Sequence, residues 1–154
     1  MNKKAALYFG ICISLALPWV SFGEEADADA LTWQLEFPEA KALSLKTERP
    51  ILIEFTGTGW CINCKIFNKN ISSSDEFIKF AQEKLVLFKA DFPMDSKQPA
   101  HIDLQNEQLG KHYGVKVFPA LFLVDKDGTL IKEIAYDPEM TIEAFMKSLE
   151  AAMP

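Results

Sequence analysis

Ile51-Leu52-Ile53-Glu54-Phe55-Thr56-Gly57-Thr58-Gly59-Trp60-Cys61-Ile62-Asn63-Cys64-Lys65 is the stretch on which the reading of the whole chain turns. Its first six residues are a β-branched and aromatic run bounded by Pro50 and Gly57, the pattern of a strand. Gly57, Gly59 and the small residues beside them make a turn, and a helix is expected from Cys61 to Asn70. The two cysteines therefore open a helix directly after a strand. Residues i and i+3 of a helix are neighbours, with Cβ atoms about 5–6 Å apart. A disulfide needs Cβ atoms at about 3.5–4.5 Å, so a tightened first turn closes the bond and reopens it without dismantling the fold. A thiolate placed there faces unpaired N–H groups and the positive end of the helix dipole, which lowers its pKa. On this reading Cys61 attacks, Cys64 resolves from deeper in the turn, and Lys65 adds positive charge nearby.

Three other uses of the pair compete. A static structural disulfide would restrain little of the unfolded chain, because its loop is only four residues. Zinc needs four ligands, and the remaining candidates, His101 and His112, lie far from any finger-like spacing. Attachment of a haem requires histidine at position 65, which is lysine. A CxxC pair between a strand and a helix favours redox chemistry over all three. No metal and no cofactor are expected.

The flanking sequence supplies the rest of a domain. Leu31 to Glu48 has apolar residues at roughly helical spacing (Trp33, Phe37, Ala40, Leu43, Leu45) and stops at Arg49-Pro50. Ser73-Ser74-Asp75-Glu76 reads as a capping box with Ser73 as N-cap. Phe77, Phe80, Ala81 and Leu85 then mark one face of a helix, so the two phenylalanines are core residues. Leu85–Asp91 is the next strand, 92–103 a long polar loop, and Leu104–Tyr113 a short helix stopped by Gly114. Ala120–Val124 is a strand buried on both faces, Asp125–Gly128 a hairpin turn, Thr129–Ala135 a strand. Ile142, Phe145, Met146 and Leu149 face inward from a closing helix. Strands alternating with helices and ending in one hairpin predict a single α/β domain with a mixed central sheet flanked by helices. His101 and His112 are expected on the surface without a role.

Composition agrees with one domain and narrows the function. The chain has 154 residues, 49% hydrophobic and 25% charged, with twelve phenylalanines for a core. Its net charge of −6 would repel a phosphate backbone, which argues against nucleic acid as a partner. Three cysteines are too few for a disulfide-stapled mini-protein. Residues 1–23 have the three regions of a secretory signal peptide: Lys3 and Lys4, an apolar run from Ala5 to Val20, and small residues at Ser21 and Gly23. The competing reading is a retained membrane anchor. Cleavage removes two lysines and no acid, taking the net charge from −6 to −8. It also removes Cys12, leaving Cys61 and Cys64 as the remaining thiols in an oxidising compartment. Residues 24–30 (EEADADA) read as an acidic leader and 31–154 as the folded domain.

Three motifs together, Ile51–Phe55, Trp60–Lys65 and Tyr113-Gly114-Val115-Lys116-Val117-Phe118-Pro119, resemble the thioredoxin superfamily over roughly Leu31 to Met153. The Phe-Thr-Gly-Thr-Gly-Trp approach to Cys61, with a helix before the first strand, is more like exported thioredoxin-like oxidoreductases of the Dsb type, and most like the periplasmic oxidoreductase of chlamydia-like bacteria. The resemblance implies a thioredoxin fold with an extra N-terminal helix. It also implies that Phe118-Pro119 is a cis-proline loop facing the disulfide, where residue 118 offers its backbone to a substrate strand. Otherwise Pro119 would merely start the strand, where a proline is tolerated. Trp60 is expected to offer a flat apolar surface beside the disulfide, or else to cap the core. Glu54 stands where the family often has an aspartate that exchanges a proton with the resolving thiol; here it is glutamate, one residue further from the first cysteine, and the competing reading is a side chain facing solvent.

The expectation is therefore a periplasmic, monomeric thiol–disulfide oxidoreductase acting on protein substrates. The Ile62-Asn63 dipeptide contains no histidine to stabilise the thiolate further, which favours a reductase or isomerase over a disulfide-donating oxidase. A reductase in an oxidising space needs an electron donor, such as a membrane protein. A function of another class, a non-enzymatic chaperone or assembly factor on the same scaffold, would leave the disulfide static.

Overall fold

A computed structural model of the chain describes residues 32–95 and 97–153. The expected signal peptide and acidic leader lie outside these residues, as does Cys12. The elements in order are β1 (Trp33–Gln34), α1 (Phe37–Thr47), β2 (Ile51–Thr56), α2 (Ile62–Phe67), α3 (Asp75–Lys84), β3 (Val86–Asp91), α4 (Ala100–Tyr113), β4 (Ala120–Val124), β5 (Leu130–Ile134) and α5 (Ile142–Glu150). A widened π-helical turn, Asn68–Ser72, joins α2 to α3. The strands form one mixed sheet in the order β1-β3-β2-β4-β5. β2 runs parallel to β3 and antiparallel to β4, with Glu54 level with Lys89 on one side and Leu121 on the other.

The central position of β2 explains its composition, because all six of its residues are buried. Alternate residues feed two cores. Leu52 joins Leu87, Leu121 and Leu123 beneath Phe67, Phe77, Phe145 and Leu149. Ile51, Ile53 and Phe55 join Phe88, Phe122 and Val124 beneath Phe37 and Ala40. Phe77 is a fully buried core residue, and Phe80 packs partly buried against the same cluster.

Four boundaries differ from the sequence reading. Trp33 lies in an edge strand, with Trp33 level with Leu87; Pro38, in the first turn of α1, suits a helix start and fixes where the helix begins. The N-cap of α3 is Ser74, whose Oγ accepts the Phe77 N–H at 3.3 Å. Ser73 instead closes the wide turn, its N–H donating to Asn68 O at 2.9 Å. Glu76 is then only two residues past the cap, too near for the reciprocal arm of a capping box. Helix α2 ends at Phe67, where the wider π turn takes over. Finally, α4 begins at Ala100 rather than Leu104, just after Pro99.

The second turn of α4 is anchored by polar groups. Asn106 is fully buried, with Nδ2 donating to Asp91 O at 2.9 Å. Gln105 Oε1 accepts the Phe37 N–H at 2.8 Å, and its Nε2 donates to Leu35 O at 2.9 Å. No helix among the described residues is long and apolar enough to cross a membrane.

Candidate active site

Strand β2 ends at Thr56, and five residues later Cys61 caps α2. The loop between is clasped to the end of β3 and the residues after it by backbone and side-chain groups. The Phe92 N–H donates to Thr56 O at 2.9 Å, and the Met94 N–H to Thr58 O at 3.2 Å. The Thr58 N–H donates to Asp91 Oδ1 at 2.8 Å. The Trp60 indole N–H donates to Phe92 O at 2.7 Å. Gly57 is required by this arrangement: a Cβ there would lie 2.8 Å from Trp60 Nε1 and closer still to Cε2 and Cζ2.

Cys61 and Cys64 form a disulfide across the first turn of α2, with Cα atoms 5.3 Å apart. Cys61 has extended backbone geometry, and its Sγ accepts the Cys64 N–H at 3.1 Å. The sulfur nearest the helix start thus takes the place of a capping oxygen, and a thiolate there would receive the same donor. Both cysteines are only 5% exposed, so depth alone does not separate attacker from resolver. Lys65 lies on the first turn, with Nζ 3.5 Å from Gly59 O.

Trp60 is 43% exposed. Its ring meets Phe118 edge to face at 5.3 Å, and Phe118 meets Phe92 at 5.4 Å. The Phe118–Pro119 peptide bond is cis. The fold thus places Trp60 against Phe118, the residue immediately before Pro119, which leads into β4.

Glu54 is 2% exposed. It points into the interior beside a cavity of about 220 Å³ that Cys64, Lys65, Asn68 and Lys89 also line, so the solvent-facing alternative does not hold. Its Oε2 has no hydrogen-bond partner and lies 3.8 Å from Lys89 Nζ. Burial pushes its pKa above the ordinary carboxylate value; Lys89 and a hydrogen bond with Thr56 pull the other way, and Asp91 adds a smaller upward push. Lys89 also lies over the Trp33 ring, 4.7 Å from its centroid.

Lys89, Gly57 and Asp91 belong to this site and were not singled out from sequence. The one available signal was a lysine inside the apolar run Val86–Asp91, mirroring Glu54 inside its own run. His101 and His112 lie on α4, away from the cysteines in the chain; His101 is exposed and sits 2.9 Å from Glu36 Oε1. Among the described residues no group of three or more His, Cys, Asp or Glu converges as metal ligands do.

The sequence pattern of the thioredoxin-like domain matches residues 37–152. The chain belongs to the thioredoxin-like family. This thioredoxin-like chain is 29% identical to the disulfide bond reductase DsbH of Chlamydia pneumoniae over 138 residues, covering 82% of each protein. It is 30% identical to the thioredoxin-related protein DsbJ of the same organism over 125 residues, covering 81% of this chain but spanning only 36% of DsbJ. A solved structure of a DsbH oxidoreductase superposes with a TM-score of 0.73 at 28% identity, covering 94% of both chains. The relatives are thus Dsb-type proteins, and the kinship and the Cys61–Cys64 disulfide both support thiol–disulfide oxidoreductase activity.

Proposed function

We propose that the protein is a periplasmic thiol–disulfide reductase, exported by a signal peptide cleaved after Gly23, that acts on exported proteins as a monomer. The observation that carries this reading is the disulfide at the first turn of α2, next to the exposed Trp60. The reductase direction draws support from the likeness to a protein named disulfide bond reductase and from the Ile62-Asn63 dipeptide, which offers no histidine to stabilise a thiolate further.

In the reduced enzyme the Cys61 thiolate attacks one sulfur of a substrate disulfide. A mixed disulfide forms, the substrate S–S bond breaks, and the second substrate sulfur leaves as a thiolate that takes up a proton. Cys64 then loses its proton, and Glu54, across the shared cavity, is the acceptor. The Cys64 sulfur attacks Cys61 Sγ, and the first substrate sulfur leaves as a thiolate that takes up a proton, while Glu54 gives up the one it accepted. Two electrons have passed to the substrate, and Cys61–Cys64 is left oxidised. A membrane protein of dithiol chemistry restores the reduced pair. Trp60 and the Phe118–Pro119 loop hold the substrate strand, and Lys65 favours the thiolate by its charge.

The test is covalent trapping. A Cys64→Ser variant cannot resolve, so it should accumulate disulfide-linked partners through Cys61 when expressed for export, and the wild type should accelerate insulin reduction by dithiothreitol over a Cys61→Ser control. Absence of both results would leave a static disulfide on a chaperone scaffold. A reduction potential well above that of the glutathione pool, measured by redox titration, would reverse the direction.

A further inference from the structure

Beside the disulfide face lies a hollow of about 390 Å³, between the end of β3, the last turn of α4 and the loop leading to Pro119. Phe92, Val115 and Phe118 give it apolar walls, and Gly110 and Gly114 contribute no side chain to fill it. Phe118 is shared with the active site, because its ring also packs on Trp60, the residue before Cys61. One aromatic ring therefore separates the hollow from the aromatic neighbour of the reactive pair.

Gly110 has no structural reason to be glycine. It lies inside α4, where glycine is the least favourable residue after proline. Gly114, by contrast, has φ 71° and ends the helix in the left-handed region. A Cβ on Gly110 would meet Phe92 at 3.8 Å and Phe55 at 3.9 Å, ordinary contact distances. Neither conformation nor packing demands a residue that weakens the helix, and what its small size provides is open space. The rim carries charge as well. Lys111 and Lys116 stand against a single acid, Glu107, whose Oε2 is 3.8 Å from Lys111 Nζ. That leaves an excess of positive charge on the rim of a protein whose net charge is −6.

We propose that this hollow is a specificity pocket: it takes a bulky apolar side chain, leucine or phenylalanine, from an extended substrate segment that carries a carboxylate beside it, near the reacting cysteine. The assignment rests on the oxidoreductase reading above. The occupant follows from the apolar walls, the surplus positive rim and the continuity with Trp60 through Phe118.

Peptides with serine in place of the cysteine separate docking from electron transfer. In an NMR titration, a peptide with leucine followed by aspartate should shift the amides of Gly110, Gly114 and Val115. It should bind about tenfold or more tightly than its leucine-to-alanine counterpart, the scale on which an apolar pocket discriminates. Replacing its aspartate by lysine should also weaken binding. Gly110→Ala should raise the melting temperature, because the added methyl fits. Gly110→Leu, which fills the hollow, should abolish the preference for leucine over alanine while reduction of the small hydroxyethyl disulfide continues unchanged. Equal binding of the leucine and alanine peptides would overturn the proposal, as would a preference that survives in a folded Gly110→Leu protein. A preserved preference in a protein that reduces no disulfide at all would uphold the pocket and remove the redox reading instead.

Discussion

Replacing Glu54 by glutamine should stabilise the protein, and by more as the pH rises. The carboxylate is 2% exposed, and its Oε2 has no hydrogen bond, only Lys89 Nζ at 3.8 Å. At that distance, and at an effective dielectric of about 20, the attraction has a ceiling of about 4 kcal/mol. Water at the Lys89 side chain, which is a quarter exposed, lowers it further. Against it stands the dehydration of a carboxylate, several kcal/mol for a buried ion. Dehydration is the larger, so the folded-state pKa lies above the ordinary 4.5. The sign of the pH dependence follows. At pH values below the unfolded pKa, Glu54 is protonated in both states and contributes no pH dependence. Between the unfolded and folded pKa values the folded chain keeps a proton that the unfolded chain has lost, so stability falls as pH rises, by up to about 1.4 kcal/mol per pH unit. Above the folded pKa the loss is complete and constant. Glutamine keeps the shape and cannot ionise. Urea denaturation of the oxidised protein, from about pH 4 to about pH 9, should show a Glu54→Gln advantage that grows through this interval and then levels off. Lys89→Met removes the compensating attraction, so it should carry the interval to higher pH and enlarge the final loss. A Glu54→Gln difference that is independent of pH, or that shrinks with it, would refute the argument that Glu54 is held in a buried, weakly compensated site.

Gly57→Ala places a methyl against the Trp60 indole; displacing the ring by about 1 Å should cost on the order of 10²-fold in kcat/KM for insulin reduction. Tryptophan fluorescence should report the movement, and unchanged emission together with unchanged activity would remove Gly57 from the site. Ser74→Ala should lower stability by about 1 kcal/mol through loss of the α3 cap, whereas Ser73→Ala should change it little; equal effects in equilibrium unfolding would return the cap to Ser73.

Strands β2 and β4 were legible because each is a largely apolar run with a turn residue beside it, the way a strand buried on both faces is written. The reactive pair was legible for a local reason too: spacing, helix start and preceding strand all lie within Ile51–Lys65. What sequence left obscure depends on distant partners. Trp33 has the spacing of a helical residue, but β3 offers an open edge to it. The first turn of α4 looked like loop because 92–103 holds two prolines and many polar residues, yet Pro99 O accepts the Ile102 and Asp103 N–H groups and Ile102 is buried. Glu54 could face either core or solvent until the register placed Lys89 beside it. Gly57 reads as a turn residue, and only the position of the indole shows that it is also a platform.

The clasp on the approach loop bears on how the chemistry can be reversible. Reduction removes the covalent link between Cys61 and Cys64, and with it any restraint that link puts on residues 57–60. The bonds that hold those residues do not involve sulfur: Thr56 and Thr58 bond to the backbone of Phe92 and Met94 and to the Asp91 side chain, and Trp60 bonds to Phe92 O. Each survives a change of redox state, and together they fix the loop from β3, which the core anchors through Leu87 and Phe88. The geometry around the sulfurs is thus set independently of whether the sulfurs are joined. On that arrangement Asp91→Ala, which removes the acceptor of the Thr58 N–H, should loosen the loop in both redox states alike. Amide hydrogen exchange at Thr58 should rise to a similar extent in the oxidised and the reduced protein. Protection lost in the reduced form alone would mean that the disulfide, and not the clasp, holds the loop.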